Sequence, residues 1–389
     1  MENNKRIKVL HIISGYGGGI SSHIRNLAKC VDSEKISFDV AGFSEYNEDF
    51  INEIHNIGGR VFTFPRPRME GYSKFIKDII QIMKNYGPYD MVQCHISGYR
   101  AIIFRLLCSY SGINRMVIHA HSTSNESKKG IMSKFEEKIN QRVNKLIATQ
   151  MASCSTEASL FAFGRSVLRE GKVMHLPNSI PPEKYMVNLD TTQKIKLKKD
   201  NNIPDNTFVI GHVGRFNHPK NHMFMVEIIK RMVQKKIDFV WLFIGTGELE
   251  NDVRDRIQQE NLVSHVKFMG RREDVNFLYQ IMDVLVLPSF NEGLPTVIVE
   301  AQAAGIPSVI SANITREADM GMGMVRYVSL DENIDYWINS LIELSSIQIP
   351  SLEKRKEILN LKGFSNQSAA TLYEDFVFGR KKSFSFIEA

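Results

Sequence analysis

The stretch Val284-Leu-Val-Leu-Pro-Ser-Phe-Asn-Glu-Gly-Leu-Pro-Thr-Val-Ile-Val-Glu-Ala-Gln-Ala-Ala-Gly-Ile-Pro307 decides how this chain of 389 residues is read. Val284 to Leu287 is an apolar, branched run of the kind buried in a parallel sheet. A polar turn follows, in which Gly293 gives the backbone freedom close to a ligand. Pro295 suits the first turn of a helix, and Gly305 with Pro307 suits its end. Strand, glycine turn and helix N-terminus make a ready anion site. Glu292 falls in the loop and Glu300 in the helix, with seven residues between them, so both can face one ligand beside a bound diphosphate. Taken alone, the segment also suits a βα unit whose carboxylates merely solvate a helix face.

About seventy residues earlier stands Ile210-Gly-His-Val-Gly-Arg-Phe-Asn-His-Pro-Lys-Asn-His222. Phe208 to Val213 reads as a strand, Gly214 opens a turn, and the residues from Met223 onward have a helical period. Arg215 and Lys220 then project from one loop. A guanidinium fork and a compact ammonium are the pair that holds two phosphates.

Together the two stretches resemble the Glu-x7-Glu and Gly-Arg-x4-Lys signatures of the retaining glycosyltransferases of family four. That resemblance implies an α/β, GT-B fold, with two Rossmann-like domains whose parallel sheets face a central cleft. It also implies roles. Arg215, Lys220 and the amides of Gly293 and Leu294 oppose the charge of a departing diphosphate, and Glu292 meets the sugar hydroxyls. Glu300 meets the ribose hydroxyls, with Asn291 and Thr296 on the same donor loop. Gly245-Thr246 resembles a family loop near the nucleotide, and Gly270-Arg271 the segment that frames the base. Gly18-Gly19-Ile20 matches the family's Gly-Gly loop between donor and acceptor. A dinucleotide fingerprint fails there, because Ile20 stands where a glycine is needed.

Three histidines, His95, His119 and His121, fall at the C-terminal ends of expected strands, where open α/β sheets bind ligands. In the family one histidine at this strand end lies near the anomeric carbon; His121 is the first choice and His119 the second. His95 and His119 are placed on the acceptor side. The spacing of His119 and His121 could also serve a metal, but no acidic cluster or DxD motif supports one. The expectation is therefore no metal and no cofactor, with the nucleoside diphosphate sugar as co-substrate.

Within the family, His119-Ala-His121-Ser, Gly211-His-Val-Gly-Arg-Phe, Lys220-Asn-His222 and Glu300-Ala-Gln-Ala resemble bacterial capsular and exopolysaccharide transferases. The likeness implies a UDP-sugar donor and a growing glycan on a polyprenyl diphosphate at the inner membrane leaflet. Two other readings stand beside it. A GT-B sugar-nucleotide epimerase would lack this motif combination. A non-catalytic partner that binds nucleotide sugar would be expected to carry degenerate motifs, and here Arg215, Lys220, Glu292 and Glu300 are intact.

Bulk properties agree. The length exceeds one core, so two domains are expected. The first is placed at residues 1–187, with a last helix at about 366–389 crossing back onto it, and the second at 188–365. Asn178-Ser-Ile-Pro-Pro-Glu183 resembles the family hinge, with Ser179 in place of glycine. Expected strands in the first half include Lys8–Ile13, Met91–His95, Arg115–Ala120 and Lys145–Ala148. No run of eighteen apolar residues appears, which argues against a membrane span, and the early first strand argues against a signal peptide. Cys30, Cys94, Cys108 and Cys154 lack CxxC spacing and read as reduced thiols of a cytoplasmic protein. Residues 1–185 carry 25 Lys and Arg against 17 Asp and Glu, a balance of +8, and the rest 24 against 26, a balance of −2. A basic first half suits an anionic partner. No nucleic-acid motif accompanies the charge, so a membrane surface is the better match, with Arg66, Arg68, Lys74 and Lys77 beside Tyr72, Phe75 and Ile76 as contacts.

Overall fold

The computed structural model describes residues 6–121 and 131–380, which form two compact units. Unit 1 comprises residues up to Ser179 together with those from Gly363 onward, and unit 2 runs from Ile180 to Lys362. The division falls inside the Asn178–Glu183 hinge segment, earlier than the expected 187/188. The polar stretch that suggested the later boundary folds as a helix of unit 2, Thr191–Asp200, started by a capping box between Asp190 and Gln193. Its Lys-rich composition reflects a solvated helix face, not a linker.

Unit 1 is a seven-stranded parallel sheet of β1 (Ile7–Ile12), β2 (Ile36–Gly42), β3 (Val61–Thr63), β4 (Met91–Cys94), β5 (Arg115–Ala120), β6 (Gln150–Ser153) and β7 (Val173–His175). Their order is β3-β2-β1-β4-β5-β6-β7, so the direction of winding reverses between β1 and β4. The expected strand at Lys145–Ala148 is a correction: those residues end a helix, Ile131–Ile147, and the strand begins at Gln150. Leu146 caused the misreading, since this apolar side chain is 84% exposed in the last helical turn.

Unit 2 is a six-stranded parallel sheet of β8 (Phe208–Val213), β9 (Phe239–Ile244), β10 (Val266–Gly270), β11 (Val284–Leu287), β12 (Ser308–Ser311) and β13 (Val325–Val328). Its order, β10-β9-β8-β11-β12-β13, reverses between β8 and β11. Every residue of β9 and β11 is buried, as near-continuous apolar strands covered on both faces require.

The last described helix, Asn366–Val377, belongs to unit 1. Its Ala369, Ala370, Tyr373, Phe376 and Val377 enter the same core as Val9, Ile24 and Phe38. Arg115 Nη1 donates to Val377 O at 2.8 Å, and Glu374 Oε1 accepts from Asp32 N at 2.9 Å. Residues 381–389 of the expected tail, and Ser122 after His121, lie outside the described residues.

Candidate functional site

In an open parallel sheet the loops diverge where the winding reverses, and the crevice left at the C-terminal strand ends is where ligands sit. In unit 2 that point lies between β8 and β11, and the two loops that emerge there carry the two sequence motifs. They are tied together. Phe290 N donates to Pro219 O at 2.9 Å, Asn221 Nδ2 to Pro288 O at 3.2 Å, and the rings of His218 and Phe290 stack at 5.1 Å.

Phe216 explains how the β8 loop holds its shape. It is buried and stacks on His222 at 4.2 Å, which pins the segment that carries Lys220, while Arg215 just before it stays at the surface. Lys220 Nζ lies 2.6 Å from Glu292 Oε1, with each side chain only 15% exposed, and Ser289 Oγ donates to the same oxygen at 2.7 Å. Arg215 is far more open: its side chain, 70% exposed, pairs with Glu248 at 3.1 Å. The direct Lys220–Glu292 pair was not legible in the sequence.

Glu300 occupies the helix Thr296–Ala304, which starts after Pro295 and ends at Gly305 in the left-handed region. Tyr279 Oη donates to Glu300 Oε2 at 3.0 Å. Glu300 keeps some solvent access, yet enough protein surrounds it that burial raises its pKa, opposed by hydrogen bonding from Tyr279 and Tyr185. Neither tyrosine was singled out by sequence reasoning. Asn291 and Gly293 are half-buried on the β11 loop, Leu294 is buried, and Thr296 opens the helix.

The glycines of Gly245-Thr246-Gly247 have a packing reason. A Cβ at Gly245 would overlap the Gly214 carbonyl oxygen, and one at Gly247 the Phe216 carbonyl oxygen. Backbone therefore lies on backbone, and Phe216 N donates to Thr246 O at 3.1 Å. Gly270 O accepts from Gly245 N at 2.8 Å, bringing the β10 end to the same rim, where Arg271 is exposed.

Unit 1 places the remaining candidates at its own reversal point. Gly18 precedes and Gly19 starts the helix Gly19–Ala28; Gly17 and Gly18 have φ of 101° and 78°, a region that favours glycine. His95 follows β4, His119 lies in β5, and His121 follows it. Two further histidines missed in the sequence, His11 on β1 and His23 on the first helix, join them. Four of the five are buried and His121 keeps some solvent access; the surrounding protein lowers the pKa of His11 to about 3 and of His23 to about 4, and holds His95, His119 and His121 well below 6.5. Asn178 lies near enough to favour protonation of His121 against that trend, without completing an ordinary hydrogen bond to its Nδ1. Nitrogens of His95, His119 and His121 lie within 4.8 Å of one another, a grouping able to hold a metal ion. His95 Nδ1 and His121 Nε2, however, already share a hydrogen bond at 2.8 Å. A polar pocket beside His95 is lined by Ser14, Ser97, Tyr99, Arg100 and Asn140 among others.

Comparison with known proteins bears on the family and the fold. The model of the family "glycosyl transferases group 1" matches residues 193–357. The chain is 32% identical over 372 residues to the putative glycosyltransferase EpsF of Bacillus subtilis, covering 94% of each chain. It is 28% identical over 300 residues to the UDP-Gal:alpha-D-GlcNAc-diphosphoundecaprenol alpha-1,3-galactosyltransferase of Escherichia coli, covering 74% of this chain and 76% of that one. Among solved structures it is similar to HepE of Anabaena in complex with UDP and glucose, with a TM-score of 0.75, 16% identity, and coverage of 96% of this chain and all of that one. At that identity the likeness speaks to fold alone, and the fold is GT-B.

Proposed function

The chain belongs to the group 1 glycosyltransferases, and on that footing we propose that it transfers a sugar from a UDP-sugar to a growing, polyprenyl-diphosphate-linked glycan, with retention and without a metal. The observation that carries this reading is the tying of the Lys220 loop to the Glu292 loop above the N-terminus of the helix Thr296–Ala304. The departing diphosphate gains negative charge, and preorganised donors aimed at that charge are the largest single source of rate. One Lys220 proton serves Glu292, which leaves two for phosphate oxygens. Arg215 gives up little in leaving Glu248, because exposed pairs contribute under about 1 kcal/mol. Glu292 meets the sugar hydroxyls and Glu300 the ribose hydroxyls, which take over the bonds now made by Tyr279. His121 stands near the anomeric carbon. The UDP and the lipid-linked acceptor are supported by the names of the relatives.

Because these cations and helix amides supply the charge that a metal supplies elsewhere, transfer is expected to persist in excess EDTA. Loss of turnover that magnesium or manganese restores would show a metal in the reaction.

No helix among the described residues is long and apolar enough to cross a membrane. Contact with the lipid-linked acceptor therefore calls for a peripheral surface at the inner face of the cell membrane. The basic segment at Arg66–Lys77 offers one, with a change in its apolar members. Phe75 is buried against Phe43, Phe64 and Phe104, so it cannot dock; Met69 at 79% and Tyr72 at 64% exposure take its place. Lys74 is paired with Glu70. Each well-placed Lys or Arg near an anionic surface adds about 1 kcal/mol, which salt screens. Co-sedimentation with anionic liposomes should fall with added salt and with charge reversal at Arg66, Arg68 and Lys77. Binding that ignores both, or is absent at low salt, contradicts the surface.

A further inference from the structure

Side chains from distant parts of unit 1 join end to end below the strand ends of β1, β4 and β5. Tyr373 Oη, on the C-terminal helix, lies 2.9 Å from Gln93 Oε1 and 3.2 Å from His11 Nε2. His11 Nδ1 lies 3.0 Å from His95 Nε2, and His95 Nδ1 lies 2.8 Å from His121 Nε2. On the other side, Gln93 Nε2 lies 2.8 Å from His119 Nδ1. The chain stops at His121 Nδ1 and His119 Nε2, both buried and without a hydrogen-bond partner.

A neutral imidazole carries one N–H and one lone pair, and burial keeps these rings neutral. Their order then follows from Gln93. Its carbonyl oxygen faces Tyr373 and can only accept, so the Tyr373 hydroxyl donates to it. The Tyr373 oxygen accepts from His11 Nε2–H, which leaves a lone pair on His11 Nδ1. That lone pair accepts from His95 Nε2–H, and His95 Nδ1 accepts from His121 Nε2–H. His121 is left with a bare Nδ1. His119, accepting from the Gln93 amide at Nδ1, carries its proton on Nε2. Asn178 favours a protonated His121, but neither its Oδ1 nor His121 Nδ1 has a hydrogen-bond partner, so the ordering of the two ring nitrogens comes through the relay.

We propose that Tyr373, His11 and His95 are positioning residues that fix His121 as the Nε2–H tautomer, through a relay that starts on the C-terminal helix. The inference takes its functional weight from the proposed role of His121 in transfer. The tautomer is measured in ligand-free protein, however, so either idea can fail without the other. It also gives that helix a task beyond filling the core.

Long-range proton–nitrogen correlation on protein labelled with 15N-histidine reads the tautomer directly, with His121 assigned by the signals lost in His121→Gln. The expected result is a protonated-type shift at Nε2 and a bare-type shift at Nδ1. Tyr373→Phe keeps the ring but removes the group that orders the relay, so the two His121 shifts should move towards each other. In a His95→Gln background, where the relay is cut, Tyr373→Phe should leave His121 unmoved. A wild-type His121 protonated on Nδ1 overturns the proposal without need of any variant. So does a His121 whose shifts ignore Tyr373→Phe, or respond to it equally with the relay cut.

Discussion

Replacing Lys220 by alanine should lower turnover by about 100-fold or more, the scale of losing one charge-stabilising donor. Lys220 is not a free surface cation whose loss leaves the fold untouched. With 15% exposure and a 2.6 Å contact to Glu292, its removal strands a mostly buried carboxylate. Two causes of a slow variant must therefore be separated. In Lys220→Ala/Glu292→Gln no carboxylate is stranded, so any loss caused by loop damage should be relieved, with a thermal midpoint nearer that of the wild type. Loss of the diphosphate counter-charge should not be relieved. Steady-state kinetics of both variants decide: the account predicts that the double variant stays as slow as the single one or slower. Recovery towards wild-type turnover, or a Lys220→Ala protein that works normally, would contradict the phosphate role.

Acid should unfold unit 1 before unit 2. Burial depresses six histidines in unit 1, namely His11, His23, His95, His119, His121 and His175, against His212 and His222 in unit 2. A base whose pKa is lower folded than unfolded stabilises the fold above its unfolded pKa, near 6.5. That contribution declines as pH falls from there towards the folded values, about 3 for His11 and about 4 for His23 and His175. Each such histidine, once the pH is well inside that window, shifts the folding equilibrium by about tenfold per pH unit. The carboxylates whose pKa is lowered by ion pairs, such as Asp335 with Arg231, lose their contribution only at lower pH. Hydrogen exchange between pH 7.5 and 5 should show protection falling in β1, β4 and β5 while β9 and β11 hold. His23, buried and with its pKa lowered to about 4 by that burial, offers a control: His23→Leu should flatten the pH dependence of the thermal midpoint. A midpoint constant from pH 7.5 to 5 would contradict the prediction.

What the sequence disclosed, and what it concealed, follows from the range of the interactions. The βα unit at Val284–Pro307 was legible because its strand, turn, N-terminal proline and terminal glycine are all local signals. The same holds for Gly214–His222, where Phe216 could be seen as apolar though not as the ring that anchors the loop on His222. The strand near residue 150 was misplaced because Leu146 is an exposed apolar residue on a helix, and apolar runs are read as buried. The hinge was spelled at Asn178–Glu183, but the more polar stretch after it drew the boundary away from Ser179. The ion pair between Lys220 and Glu292 and the contact between His11 and Tyr373 span 72 and 362 residues. No local pattern encodes contacts of that length. His11 in particular sits among Val9, Leu10 and Ile12, where a histidine is most simply read as a core residue.

The central claim is sugar transfer with retention, and the anomeric configuration of the product tests it most directly. Purified protein would be given UDP-hexoses and UDP-N-acetylhexosamines in turn, with a polyprenyl-diphosphate-linked acceptor glycan, and the new linkage read by proton NMR from its anomeric coupling. The account predicts that at least one donor is consumed and that the new bond keeps the α configuration of the UDP-sugar. A β-linked product, or an epimerised donor with no glycan extended, would contradict it.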